Sequence, residues 1–146
     1  MVVARQTSRS RTPTDGDYAD LLAFRTGMRR FMQWSEERAQ AEGMTHLQHQ
    51  LLLAVRAHDD HRGPTVGEAA DYLLMTPSSA SELVDRAEAG RFVRRQRSGE
   101  DARVVRLRLT DVGERKLEAL TIDVLNELAR VGPVLQLVLA DAARGL

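Results

Sequence analysis

The chemistry-bearing residues of this chain crowd into positions 76–110, TPSSASELVDRAEAGRFVRRQRSGEDARVVRLRLT. From Arg86 to Arg108 there are eight arginines (86, 91, 94, 95, 97, 103, 106 and 108) against three acids, Glu88, Glu100 and Asp101. That is a local balance of +5 in a chain whose formal net charge is +0. Just before them, Thr76, Pro77, Ser78, Ser79 and Ser81 open a helix on small hydroxyl side chains. Such a helix tip can approach a phosphate backbone closely, and its free N–H groups bind phosphate oxygens. Concentrated positive charge beside a bare, polar helix tip is the electrostatic footprint of a DNA reader. The bland alternatives are a solvated hairpin face for the arginines and simple helix capping for the hydroxyls. Capping accounts for Thr76, so the arginines carry more of the argument.

The rest of the composition narrows the field. At 146 residues the chain is one domain of common size. Cysteine is absent, which excludes disulfides and thiolate zinc sites. No apolar run approaches the roughly 20 residues of a membrane span. The N-terminus lacks the apolar segment of a signal peptide, so the expected location is cytoplasmic. There is no Walker loop, Gly-x-Ser-x-Gly, HExxH or Rossmann fingerprint, and we expect neither enzymatic activity nor a cofactor. His46/His49 and His58/His61 have the i,i+3 spacing that can share a metal, but no further ligand completes a set, so no metal is expected.

The elements that must hold the basic segment can be read on either side of it. Residues 1–14 carry little to bury and read as a disordered arm, with Arg5, Arg9 and Arg11 free to touch DNA or simply solvated. Leu21, Phe24, Met28, Phe31 and Trp34 recur at helical spacing, predicting a long helix from Asp17 to Glu42, closed by Gly43. Thr45-x-x-Gln48 and Thr65-x-x-Glu68 are capping boxes that open a second and a third helix, separated by the loop Asp59–Pro64. Thr76 caps a fourth helix with Pro77 at its first position, and Gly90 ends it. Two short helices so closely joined form a helix-turn-helix. Strands Phe92–Arg97 and Val104–Leu109 follow, joined by a polar tip. Thr110 caps a fifth helix, which Gly132-Pro133 is expected to break, leaving a sixth, VLQLVLADAARGL, apolar nearly all round. A helix of that kind needs cover, and a second copy of the chain is the natural supplier.

This order of elements resembles the MarR family of winged helix-turn-helix transcription regulators over roughly residues 17–145. Two motifs carry the likeness: MTPSSASELVDRAEAGRFV (75–93), similar to the family's recognition helix and its exit, and GEDARVVRLRLTDVGERKL (99–117), similar to its wing. The fold implied is mainly α with a small β-hairpin wing: a winged helix-turn-helix at about 45–109, plus a helical dimerisation region of N- and C-terminal helices at about 17–42 and 110–145. Residues 15–146 then form a single MarR-like domain. Three positions depart from the family: Glu82 where a basic residue is frequent, Ala87 where leucine is usual, and Gly90-Arg91 where the glycine is displaced by one. Glu82 either accepts from cytosine N4 or lies along the flank toward Arg86, and the flank is the favoured reading.

The resemblance implies a homodimeric repressor of transcription on double-stranded DNA, bound to a pseudo-palindromic operator. Thr76, Pro77, Ser78, Ser79, Ser81 and Arg86 would sit at the major groove. Arg95 and Arg97 would touch the backbone, and Arg103 at the wing tip, braced by Asp101, would enter the minor groove. It also implies release by a small aromatic or anionic ligand, near Met28, Met32, Trp34, His46 and His49; core packing is the bland reading for these residues. The rival reading is a winged-helix adaptor that binds protein and has lost operator recognition, a possibility Glu82 raises.

Overall fold

The computed structural model describes residues 12–144. Arg5, Arg9 and Arg11 of the expected arm lie outside the described residues. Among those described, the elements are helices α1 (Asp15–Ala41), α2 (His46–Ala57), α3 (Val66–Leu73) and α4 (Pro77–Ala89), strands β1 (Val93–Arg97) and β2 (Val105–Leu109), and helix α5 (Asp111–Arg144). No described helix is long and apolar enough to cross a membrane.

The chain divides into two compact units, one from the N-terminal stretch up to Gln33 with Asn126 onward, the other Trp34–Leu125. The second unit holds the core. Leu51, Leu52, Leu83, Val84, Val93, Leu107, Leu117 and Leu120 are buried together, with Ala87 on the inner face of α4. Every buried residue among those described lies from Ser35 to Leu120. In the first unit Leu21, Leu22, Val134, Leu137 and Leu139 are each at least half exposed.

Local chemistry sets the helix ends. Thr14 Oγ1 accepts from the Asp17 N–H while the Asp17 carboxylate accepts from the Thr14 N–H, so α1 starts two residues earlier than its apolar stripe suggests. Both predicted capping boxes form, at Thr45/Gln48 and Thr65/Glu68. Gly43, with φ 81°, takes the left-handed position after α1.

The predicted break at Gly132-Pro133 does not occur. α5 runs unbroken through Pro133, so the expected sixth helix is the end of the fifth. Proline removes one rung of helical hydrogen bonding, the one to Ala129 O, and its ring crowds the residue before it. That residue is Gly132, which has no β-carbon to crowd and open space around it.

At the other end of α5, Thr110 Oγ1 accepts from the Gly113 N–H and donates to the Arg91 carbonyl. The Thr110 N–H donates to Phe92 O at 3.0 Å. These bonds fasten the start of α5 to the exit of α4.

Candidate nucleic-acid interface

α4 is the exposed helix of the helix-turn-helix. Ala80, Leu83, Val84 and Ala87 recur at helical spacing and are buried, which turns the opposite face outward. Thr76, Pro77, Ser78 and Ser79 at its tip are exposed, and Ser81 is half-buried. Thr76 Oγ1 accepts from the Ser79 N–H at 3.2 Å and donates to Ser79 Oγ at 3.0 Å. Thr76 and Ser79 therefore cap the helix, and Ser78 is the exposed hydroxyl left over for an outside partner.

Glu82 does not pair with Arg86. Among the described residues neither side chain has a hydrogen-bond or ion-pair partner, so both project from α4 unpaired. An i,i+4 pair in water is worth only about 0.2–0.5 kcal/mol, too little to fix two exposed side chains. The flank reading of Glu82 therefore gains no support from a pair with Arg86.

Arg95 is the second correction. Its guanidinium bonds Asp85 at 2.7 Å and Glu88 at 3.0 Å, and its N–H donates to Glu88 at 3.0 Å. Two carboxylates of α4 neutralise it, so Arg95 straps β1 to α4 and is not available to a phosphate. The sequence pattern concealed this because Asp85 and Glu88 align with Arg95 only after the chain turns at Gly90.

The wing is a two-stranded antiparallel hairpin in the register Val93↔Leu109, Arg94↔Arg108, Arg95↔Leu107, Gln96↔Arg106 and Arg97↔Val105. Val93 and Leu107 face the core, which sends Arg94, Gln96, Arg106 and Arg108 to the other side. At the tip, Asp101 accepts from the Arg103 N–H at 3.0 Å and stands 3.6 Å from its guanidinium. The Arg103 side chain is 94% exposed. Asp101 thus orients Arg103 without burying it, as the sequence suggested. Arg97 is exposed and donates to the Ala102 carbonyl at 2.8 Å, bracing the tip from within.

A brace under the wing has no signal in the sequence. In the loop before α3, Asp60 bonds Arg62 at 2.7 Å, and Arg62 reaches Glu100 at 3.2 Å. The Arg62 hydrogen bonds, with Arg62 and Arg106 as nearby cations, hold the Asp60 carboxyl far below the usual carboxylate range. Arg106 donates to Gly63 O at 2.9 Å, and the Leu107 N–H donates to Pro64 O at 2.8 Å. Gly63 is required here: at φ 90° a β-carbon would meet Leu107 O at 2.0 Å. A dipeptide such as Gly63-Pro64 signals a turn, but nothing in it says which strand the turn will grip.

The residues expected around a ligand are dispersed along the chain. Met28 and Met32 are exposed and belong to the first unit, whereas Trp34, His46 and His49 belong to the second. Trp34 and His46 are half-buried. His49 is buried, and burial, with His46 close by, pushes its pKa below the usual value. The Nδ1 atoms of both histidines are buried and lack hydrogen-bond partners. No group of three metal-binding side chains occurs among the described residues.

Comparison with known proteins agrees with this geometry. The model of the MarR family matches residues 42–104, which cover the helix-turn-helix, β1 and the tip of the wing. No curated protein matches the sequence. Among solved structures, a MarR family protein from Bacillus stearothermophilus is 28% identical with a TM-score of 0.69, over 82% of each chain. AbsC, a MarR family transcriptional regulator from Streptomyces coelicolor, is 20% identical with a TM-score of 0.69, over 83% of this chain and 81% of its own. MepR of S. aureus, solved in complex with DNA, is 24% identical with a TM-score of 0.62, over 74% of this chain and 78% of its own. Capped helix-turn-helix, Asp-braced wing and family match coincide on the same residues, and the chain has a winged helix-turn-helix fold similar to that of MarR family proteins.

Proposed function

We propose that this protein is a sequence-specific DNA-binding regulator of transcription, acting as a repressor. α4 enters the major groove by its tip, with Ser78 and Ser81 on phosphates and base edges and Arg86 farther along. The wing lies beside it, and Arg103 enters the minor groove. The observation that carries this reading is Arg103 itself, a guanidinium held out by Asp101 and almost wholly exposed at the end of a hairpin. A solvated charge needs no such orientation. The MepR–DNA complex is a precedent for this fold on duplex DNA.

The working form is a homodimer. Its support is the apolar residues of the first unit, exposed in a single chain, which a second copy would cover. Two copies present their α4 helices to half-sites about 10 bp apart or a multiple of that, so the operator is an approximate palindrome. Release by a small aromatic or anionic ligand is supported by the unpartnered, buried Nδ1 atoms of His46 and His49, which a ligand's polar group would satisfy.

Selection from a random duplex pool with the full-length protein tests the reading. Enrichment of an approximate palindrome is the expected result. Featureless recovery with dimerisation intact would replace it with the adaptor reading.

A further inference from the structure

The outer face of the hairpin carries more positive charge than a strand pair should tolerate. Arg94 and Arg108 lie directly across from one another in the register, where like charges destabilise a sheet. They open onto a cleft of about 310 Å³ whose charged lining is Arg62, Arg94, Arg97, Arg106 and Arg108 with His61, and no acid. A neighbouring cleft of about 380 Å³ differs in kind: Asp59, Asp60 and Glu114 offset Arg56 and Arg108 there.

Within the arginine cleft Arg97 and Arg108 are oriented but not neutralised. Arg108 donates to the His61 carbonyl and Arg97 to that of Ala102, neutral acceptors that fix direction and leave the charge. Arg106 Nε is buried without a partner. Arg94 is exposed and has none among the described residues. Arg62 is paired with Asp60 and Glu100 and so is taken, while Arg106 and His61 have carboxylates 3.7–3.9 Å away. Fixed guanidinium forks match phosphate oxygens bidentately and lose little freedom on binding.

We propose that this cleft is a phosphate-binding site, with Arg94, Arg97 and Arg108 as its unpaired cations. The same chemistry is offered by the backbone of a duplex and by a free oligophosphate. The site is distinct from the α4 tip and from Arg103, and it does not depend on the role proposed above.

The test compares the full-length protein with R94Q/R108Q and with R29Q/R30Q. The last pair lies on α1 and removes the same charge from exposed positions. Tripolyphosphate binding is followed by calorimetry, and duplex binding is measured across a salt series. We expect R94Q/R108Q to weaken tripolyphosphate at least tenfold, or to lower the slope of log affinity against log salt by about 2, at roughly 0.9 for each phosphate no longer neutralised. R29Q/R30Q should do neither. Loss of tripolyphosphate alone identifies a free oligophosphate as occupant, and loss of slope alone identifies the duplex backbone. If wild type ignored duplex yet bound tripolyphosphate through Arg94 and Arg108, the regulatory role would fail and the site would stand. Identical behaviour of the two double variants in both measurements would overturn the site. Melting at low salt checks folding independently: R94Q/R108Q should melt higher than wild type, and the gain should vanish at high salt.

Discussion

The carbonyl of Phe92 lies against the α-carbon of Gly113, so closely that a β-carbon there would stand 2.1 Å from the oxygen. With the Thr110 bonds to Arg91 and Phe92, this approach welds α5 to the end of α4 and the start of β1. The presence of glycine three residues after Thr110, inside the wing motif 99–117, thus has a steric reason. Gly113→Ala should destabilise the fold by about 1–3 kcal/mol, the usual range for overpacking, because the obstacle is backbone and cannot rotate away. Urea unfolding would measure it, and a loss under about 0.5 kcal/mol would show that the two backbones part freely.

The displaced glycine after α4 makes two opposed predictions. Gly90 has ordinary helical φ, and Arg91 takes the left-handed conformation at φ 63°. Arg91→Gly should stabilise the protein by about 0.5–1 kcal/mol, since the strain relieved exceeds the added freedom of the unfolded chain. Gly90→Ala should destabilise it, because a β-carbon there would meet the Phe92 ring at 2.8 Å. Thermal melting of both variants settles the signs.

Two arginines of similar sequence context should behave differently on DNA. Arg103→Ala is expected to weaken operator binding by about 1–3 kcal/mol at fixed salt with stability unchanged. Arg95→Ala should loosen β1 from α4, lowering the melting temperature and, through the Asp85 and Glu88 left behind, repelling phosphate. Titrations at two salt concentrations beside melting curves distinguish them. Equal losses of affinity with equal stability would return Arg95 to the interface.

Acid should weaken the fold in two stages. Burial depresses the His49 pKa, so below about pH 6.5 the unfolded chain takes up a proton that the folded one refuses. Stability therefore falls from neutral pH downward, until pH reaches the lowered folded value. His49→Leu should flatten that slope. Asp60 has the opposite chemistry and the same sign of consequence. Its carboxyl is held low by Arg62, so its contribution is complete above the unfolded carboxylate range and lost as pH falls below about 4. Asp60→Asn should remove only this second stage. Unfolding free energies measured from pH 8 to pH 3 would separate them.

Much of this was legible in the sequence because it is local. Thr45 with Gln48, Thr65 with Glu68, and Thr76 with Pro77 announce helix starts within four residues, and each forms as read. Asp101 and Arg103 are two positions apart, so their pairing needed no knowledge of the fold. The misreadings have different causes. Arg95 looked free because Asp85 and Glu88 belong to another element. Pro133 looked like a stop because propensity ignores the relief that a preceding glycine provides. The paired row of Arg94 and Arg108 was present in the strand alternation, but only the register sets them opposite.

The α4 helix is bracketed by the only two non-glycine residues, among those described, with positive φ: Leu74 before it at 54° and Arg91 after it at 63°. Each such residue stores about 1–2 kcal/mol. Leu74 recovers little of this by packing, for it is 94% exposed. α4 is therefore sprung at both joints. On the proposed role, relaxing either joint would alter how α4 meets a groove while leaving every groove-facing side chain alone.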